Sequence, residues 1–254
     1  MEPNRMNRMV VVIAGVLILE LLFKGCMDAP QGSHLALKAN PVAVTIDGKL
    51  TDGEWENANV VRGFVKPWDE GPDNKTTLWV QSDSSYFYFA FDVADKQIVV
   101  VPVESEQAVA SGDRVELFFA GDKDLADYYC FEMGPDGRVL DYRASFYRQF
   151  DNAWDFPDLD VIGVRNDRGY VVEGKIPFSK LNELGIVKQR GTRSFFFMGA
   201  YRGEYSTKNQ GDTTIQWITW VDPDVADPDF HIPSSFGEVS YDLPIPPPAS
   251  PRIP

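Results

Sequence analysis

Few side chains in this 254-residue sequence could carry covalent or metal chemistry. It contains two histidines, His34 and His231, and two cysteines, Cys26 and Cys130. A Ser/His/Asp triad could use only His231, and no G-x-S-x-G motif accompanies it. A zinc site is hard to assemble, because Cys130 stands alone in a strand-like stretch and is expected to be a small buried core residue. These residues favour binding over catalysis.

Acidic residues are the most abundant groups with chemical potential. The 38 Asp and Glu residues make chance pairs of carboxylates plentiful, so a stand-alone glycoside hydrolase, acting on O-glycosyl bonds, stays an alternative. Oxygen-rich pairs could also ligate calcium, and Asp92 with Asp95 is the pair we predict for a structural Ca²⁺. Turn residues or a solvated acidic face would have the same composition.

Aromatic residues make up 13% of the chain, which favours strands and stacking surfaces. Four tryptophans lie near turns or in polar company, where an indole can stack on a sugar face: Trp68, Trp154, Trp217 and Trp220. For each of them the alternative is packing in the core or at the base of a loop. Trp55 and Trp79 stand in motif or strand context and are assigned to the core.

The net charge of −14 would repel a phosphate backbone, and no stripe of Lys or Arg follows the N-terminal segment. We therefore expect no nucleic-acid partner.

The N terminus has the composition of an export signal. Arg5 and Arg8 precede an apolar run over residues 10–19, and the segment ends at Gly25-Cys26. This predicts a signal peptide over residues 1–26. A cysteine after a small residue is similar to the lipobox of bacterial lipoproteins, in which that cysteine is lipidated. The alternative is a retained signal anchor with a free Cys26.

Either interpretation predicts an exported protein: an outer-membrane or periplasm-facing lipoprotein, or a secreted one. Contact with the membrane would be through the N-terminal lipid or anchor only. Residues 27–40 show no periodic apolar pattern and are predicted to be a tether. Residues 243–254 form a Pro-rich tail. These limits leave one folded unit over residues 41–242.

Strand-like alternation recurs throughout that unit. In residues 85–93, Phe87, Phe89 and Phe91 share one apolar face, and residues 76–82 before them form the other arm of a hairpin. Similar alternation occurs at 114–119, 140–147 and 170–176. The pattern predicts an all-β, antiparallel sandwich of the jelly-roll or immunoglobulin-like type. Only 179–184, capped by Ser179 and stopped by Gly185, and 124–129, as one turn or a loop, could be helical.

Five ordered sequence motifs span nearly the whole folded unit. They are IDGKLTDGEW at 46–55, the LWV and YFY hairpin at 78–80 and 86–88, GDRVELF at 112–118, GYVVEGKIP at 169–177, and WITW at 217–220 followed by PSSFGEV at 233–239. Together they resemble the family 9 carbohydrate-binding modules, a β-sandwich group of the DOMON-like superfamily. The resemblance implies non-catalytic capture of a polysaccharide or oligosaccharide in a polysaccharide-using bacterium, with a separate glycoside hydrolase as a partner.

The chain departs from the best-known branch of that family, in which two tryptophan rings sandwich the sugar. The first ring would fall at residues 108–111 (AVAS) and the second near Phe230. An arginine of that branch would fall near Glu132. The resemblance therefore implies the fold, with sugar contacts of a different kind.

Replacement contacts are sought in the same region. The candidates are Trp154, Arg202, Phe230 and His231, because aromatic rings stack on sugars and arginine can bind vicinal hydroxyls with two hydrogen bonds. Glu132, near the position of the family's arginine, is the fifth predicted sugar-binding residue. For Arg202 the alternative is an ordinary salt bridge, and for Trp154 a loop-packing residue.

A haem-binding redox module is the remaining alternative. DOMON-like sandwiches include cytochrome domains with Met and His or Lys ligands, and this chain has Met133, Met198 and His231. No spacing singles these residues out.

Overall fold

The computed structural model describes residues 33–40, 43–50, 53–71, 73, 75–207 and 213–242. The predicted signal peptide with Cys26, residues 27–32 of the predicted tether and the Pro-rich tail after residue 242 lie outside the described residues. No helix in the described ranges is long and apolar enough to cross a membrane.

Strands dominate the described part of the chain. They are β1 His34–Ala36, β2 Asn59–Val61, β3 Thr76–Ser82, β4 Tyr86–Ala94, β5 Arg114–Ala120, β6 Tyr128–Met133, β7 Val139–Ser145, β8 Gln149–Asp151, β9 Asp160–Asn166, β10 Gly169–Pro177, β11 Lys188–Arg190, β12 Arg193–Thr207, β13 Thr213–Thr219 and β14 Gly237–Tyr241. One α-helix, α1, spans Phe178–Glu183, and short 3₁₀ turns lie at Gly53–Trp55, Glu106–Ser111 and Pro233–Ser235.

Two sheets pack face to face. The larger has the order β1-β14-β12-β5-β6-β7-β8, with β11 and β13 also paired to β12, and the smaller has the order β2-β3-β4-β10-β9. Every strand pair is antiparallel except β1 with β14, which is parallel. The predicted all-β sandwich is confirmed.

The central core lies between the sheets. Phe87 of β4 meets Phe119 of β5 and Phe196 of β12, each with ring centroids 5.8 Å apart in edge contact. The predicted apolar face of β4 is fully buried there. Alternate residues of β5, β6 and β12 supply the opposite wall, so strand periodicity decides which side chains join the two sheets.

The larger sheet is covered on its outer face as well. A second apolar cluster there includes Phe118, Tyr128, Cys130 and Tyr142 together with Phe236 from the segment before β14. Cys130 is fully buried, as predicted. Because β5 is sheltered on both faces, its outward-facing polar residues are also withdrawn from solvent.

Hydrogen bonds join two of the sequence motifs, those at 46–55 and 169–177. The buried carboxylate of Glu173 in β10 accepts hydrogen bonds from the backbone N–H of Asp47 at 2.8 Å, from that of Gly48, and from the indole of Trp55 at 2.9 Å. Gly48 has a φ of 77°, a conformation that favours glycine. The opening IDG turn is therefore fixed to the middle of the smaller sheet, and Trp55 lies in the core as predicted.

Several local features differ from the sequence prediction. Helix α1 begins one residue early, after Pro177, and Ser179 does not cap it, while Gly185 at φ 72° follows its end as expected. Leu35 and Leu37, in the segment assigned to the tether, are buried in the central core. The ordered unit therefore begins before residue 41.

Candidate functional site

Strand register brings three charged residues together on the outer face of the larger sheet. Glu116 of β5 lies directly opposite Glu132 of β6. Arg114 is two residues before Glu116, so its side chain leaves the strand on the same face. Gly203 of β12 faces Arg114, and a Cβ at Gly203 would lie 3.1 Å from the guanidinium. The absence of a side chain there leaves room for Arg114.

The three side chains form a buried ionic triad. Nε of Arg114 lies 2.9 Å from Oε1 of Glu116 and 2.6 Å from Oε2 of Glu132, with the side chains 6%, 3% and 9% exposed. Tyr142 donates to the other oxygen of Glu132 at 2.9 Å. The contacts through Arg114 Nε are close enough for ion pairs, but none of the three atoms makes a directed hydrogen bond. Their hydrogen-bonding capacity is therefore incompletely used.

One cation serves two carboxylates in this triad. Burial and the neighbouring Glu132 raise the pKa of Glu116, against the opposing effect of Arg114. Burial alone would lower the pKa of Arg114, but Glu116 and Glu132 outweigh it and raise that pKa. A protonated Glu116 would supply an O–H donor beside the Glu132 acceptor. The triad can thus both donate to and accept from a hydroxyl-bearing ligand.

Aromatic rings form the wall beside the triad. The guanidinium carbon of Arg114 lies 5.2 Å from the ring centroid of Trp217. Trp217 in turn meets Phe230 edge-on at 5.4 Å, and Phe230 stacks on Tyr201 at 4.2 Å with an interplanar angle of 11°. Phe230 is buried, whereas Trp217 is partly exposed. Trp217 is therefore the ring available to a ligand.

His231 bounds the site on the side opposite the aromatic wall. Its ring stacks on Phe118 at 5.1 Å, and its Nδ1 is 3.0 Å from the hydroxyl of Tyr128. Burial, aided by the nearby charge of Arg148, lowers the pKa of His231 to about 4. The imidazole is neutral at physiological pH, so it contributes a hydrogen bond and an aromatic surface rather than a charge.

Together these groups enclose a pocket of about 110 Å³. It is lined by Arg114, Glu116, Glu132, Arg148, Trp217, Pro228, Asp229, Phe230 and His231. Polar groups that donate and accept converge here beside an aromatic wall, which is the arrangement that binds a small ligand with hydroxyl groups on its rim and an apolar face.

Comparison with known proteins assigns the fold to a family. The model of the carbohydrate family 9 binding domain-like family matches residues 46–242. The chain belongs to this family. No curated protein is significantly similar to it in sequence.

Solved structures with this family 9-like fold share little sequence identity with the chain. A candidate carbohydrate-binding protein from Bacteroides uniformis has a TM-score of 0.60 and 17% identity, covering 83% of this chain and 100% of that one. A family 9 carbohydrate-binding module from Caldicellulosiruptor kristjanssonii, solved with cellotriose, has a TM-score of 0.51 and 18% identity, covering 87% and 100%. At this identity the likeness establishes the fold.

The family 9-like fold brings together three of the five predicted sugar-binding residues. Glu132, Phe230 and His231 line the pocket. Arg202 is fully buried on the inner face of the same sheet, where it binds Asp95 at 3.0 Å. Trp154 also lies on the inner side, 4.9 Å from Tyr129 and stacked on Phe156. The structure therefore does not bring these two residues to the pocket.

Arg114 and Glu116 were not predicted as site residues. Sequence alternation placed both opposite the apolar face of β5, and the spacing Arg-x-Glu on one strand face is the signal that could have identified them. Residues 108–111, where the resemblance would place the family's first tryptophan, lie in the 3₁₀ turn Glu106–Ser111, and the carbonyl of Ala110 there accepts a hydrogen bond from Arg114 at 3.1 Å. The backbone of this turn therefore contacts the triad.

The two aspartates predicted for calcium each contact an arginine, and the candidate haem ligands lie on opposite faces of the larger sheet. Asp95 is paired with Arg202, and Asp92 lies 3.8 Å from Arg168. Among the described residues no group of three or more His, Cys, Asp or Glu side chains is placed to hold a metal, and calcium at Asp92 and Asp95 stays a prediction. Met133 and Met198 lie in the central core, across the larger sheet from His231.

Proposed function

We propose that this family 9-like domain is a non-catalytic carbohydrate-binding domain that holds a sugar unit in the pocket at the Arg114 triad. The observation that carries the proposal is the convergence of incompletely bonded, buried charged groups with the partly exposed ring of Trp217. Sugar hydroxyls would bond to the groups of the triad that line the pocket, while one face of the sugar ring stacks on the indole of Trp217.

The relatives support the ligand class. The Caldicellulosiruptor kristjanssonii module binds cellotriose, and the family to which this chain belongs is the carbohydrate family 9 binding domain-like family. The pocket residues of this chain determine which arrangement of sugar hydroxyls can bind. Glucose-based sugars are therefore the first ligands to test, and the sugar bound most tightly is set by this chain's own residues.

The carboxylates of Glu116 and Glu132 are the pair that a glycoside hydrolase would use. Nε of Arg114 contacts an oxygen of each at 2.9 and 2.6 Å, so the cation stands between the two carboxylates, where a scissile bond would have to lie. We therefore assign the pair to ligand binding. Release of reducing sugar that disappears in both Glu116→Gln and Glu132→Gln would instead identify an enzyme.

At the cell envelope the domain would serve polysaccharide capture for catabolism by a separate glycoside hydrolase. Support comes from the basic and apolar N terminus ending at Cys26, which is typical of lipoprotein signals. Labelling of the wild type, but not of Cys26→Ser, with radioactive palmitate in bacterial cells would establish the lipid. Equal labelling of both would remove this part of the proposal.

The binding proposal is tested by retention of the purified protein on a panel of plant and algal polysaccharides, with glucose and cellotriose as soluble competitors. We expect retention on at least one polysaccharide and its loss in Trp217→Ala. Absence of retention across the panel would contradict the proposed function.

A further inference from the structure

We propose that the hairpin between β7 and β8 forms a second sugar subsite, which binds the units of a saccharide chain that extend beyond the unit held in the pocket. This inference rests on the proposed function and specifies its substrate class as an oligosaccharide or polysaccharide chain rather than a free monosaccharide.

Exposed aromatic rings are concentrated in this hairpin. Phe146, Tyr147 and Phe150 are 47%, 54% and 41% exposed, and elsewhere in the described residues the large apolar side chains of comparable exposure are aliphatic. Phe146 and Tyr147 meet at 5.3 Å, and the guanidinium of Arg148 lies 5.7 Å from the ring of Phe150. Leaving three rings in water is unfavourable unless a ligand covers them.

The hairpin is fixed to the rim of the pocket. The hydroxyl of Tyr147 donates to Asp229 at 2.6 Å, and Arg148 binds the other oxygen of the same carboxylate at 2.9 Å. Phe150 meets His231 edge-on at 4.9 Å. Since Arg148, Asp229 and His231 all line the pocket, the aromatic hairpin and the pocket form one continuous surface.

A shallow groove continues that surface on the far side of Phe150. It has a volume of about 270 Å³ and is lined by Asp127, Arg143, Ala144, Ser145, Gln149, Phe150 and Asp151. Phe150 therefore stands between the pocket and a groove in which amide, carboxylate and guanidinium groups flank an aromatic ring. Such a combination suits a chain of hydroxyl-bearing rings.

The size of the patch favours a saccharide over a protein partner. The three exposed rings of residues 146–150 offer far less surface than the roughly 800 Å² that each partner buries in a standard protein interface. A saccharide chain needs only one aromatic side chain to stack on each sugar unit. Because the hairpin and the pocket form one continuous surface, a chain held in the pocket can extend over the hairpin.

The test compares affinities for a monosaccharide and its trisaccharide by isothermal titration calorimetry. Matched pairs are glucose with cellotriose, xylose with xylotriose and mannose with mannotriose. For at least one pair we expect the wild type to bind the trisaccharide about tenfold more tightly, which is the gain of one aromatic stacking contact. In Phe146→Ala/Tyr147→Ala the two affinities, both measured on that variant, should become equal, and any effect of losing the contact between Tyr147 and Asp229 is common to both ligands.

Val103→Ser is the matched control, because it removes an exposed apolar side chain outside the hairpin. In this variant the tighter binding of the trisaccharide over the monosaccharide should be unchanged. Equal affinities of the wild type for a bound monosaccharide and its trisaccharide, or a gain that survives the double substitution, would overturn the second subsite and leave the proposed function intact. Failure of the wild type to bind any member of the three pairs would contradict both. Thermal unfolding of each variant verifies that it is folded.

Discussion

Arg114 on β5 and Glu132 on β6 are joined by a 2.6 Å contact between Nε and Oε2, on the outer face of the larger sheet. The same residues on most sandwich surfaces would be hydrated. Here the segment that carries Phe230 and His231 shelters them, so the charges are held at low solvent exposure beneath the pocket. This relationship supplies the polar half of the proposed sugar site.

The protonation of His231 gives a direct measure of how sheltered the site is. Because burial lowers the pKa of this histidine to about 4, its imidazole should stay neutral as the pH falls through 6.5. A histidine NMR titration with His231→Gln for assignment should give a midpoint near pH 4. A midpoint at or above 6.5 would show that the ring is hydrated and would contradict the closed pocket described here.

Replacing Glu116 by Gln should change how stability depends on pH. The carboxyl's ordinary pKa is 4.5, and it is raised in the folded protein. The folded state therefore keeps a proton that the unfolded state releases, so the contribution of Glu116 to the free energy of unfolding falls as pH rises from about 4.5 toward neutrality. Since one pKa unit corresponds to about 1.4 kcal/mol, Glu116→Gln should gain about 1 kcal/mol or more relative to the wild type between pH 4.5 and 7.5.

Urea unfolding of both proteins at the two pH values measures this gain. A stability difference that is the same at pH 4.5 and 7.5 would show that Glu116 does not hold a raised pKa in the folded state.

The buried pair of Arg202 and Asp95 should be a stability element rather than a ligand contact. Asp95→Ala leaves the guanidinium of Arg202 partly uncompensated in the interior and should cost about 3–5 kcal/mol. Asp242→Ala is the matched control, because Arg193 and Asp242 form an exposed pair at a similar 2.9 Å, worth about 0–1 kcal/mol. If Asp95→Ala or Arg202→Ala, folded at low temperature, lost sugar affinity, this assignment would be wrong and Arg202 would be a sugar-binding residue as predicted.

Phe87 should be among the costliest residues to truncate. Its ring crosses from the smaller sheet to two phenylalanines of the larger one, so Phe87→Ala opens a cavity between the sheets and should destabilise the fold by about 3–5 kcal/mol. Chemical denaturation measures the loss. Phe146→Ala, at an exposed ring, should lie within about 0.5 kcal/mol of the wild type, and similar effects at both positions would contradict the assigned core.

Local periodicity was sufficient to predict the sandwich but not its site. The alternation of Phe87, Phe89 and Phe91 identified the core face of β4 without any long-range information. The triad depends instead on the register of β5 against β6 and on a cover supplied by residues 228–231, about a hundred positions later in the chain. No local pattern contains that information.

Local sequence context also could not predict the environments of the tryptophans and of Arg202. Trp217 and Trp220 share one polar sequence context, yet Trp217 faces the pocket and Trp220 is buried in the central core. Pairing of β13 with β12 and the end of β13 at Thr219 separate their environments. Arg202 shares its strand face with the core residue Ala200, and a lone arginine on such a face indicates a buried ion pair more often than an open binding group.

The most direct test of the account measures sugar affinity in two tryptophan variants by isothermal titration calorimetry. A polysaccharide-derived oligosaccharide that the wild type binds is titrated into Trp217→Ala and Trp154→Ala, each first verified to be folded by thermal unfolding. We expect Trp217→Ala to lose at least about tenfold in affinity, because it removes the ring that faces the triad. Trp154→Ala should bind as the wild type does, because its ring packs on the opposite face of the sheet. Unchanged affinity in Trp217→Ala together with loss in Trp154→Ala would contradict the pocket as the sugar site.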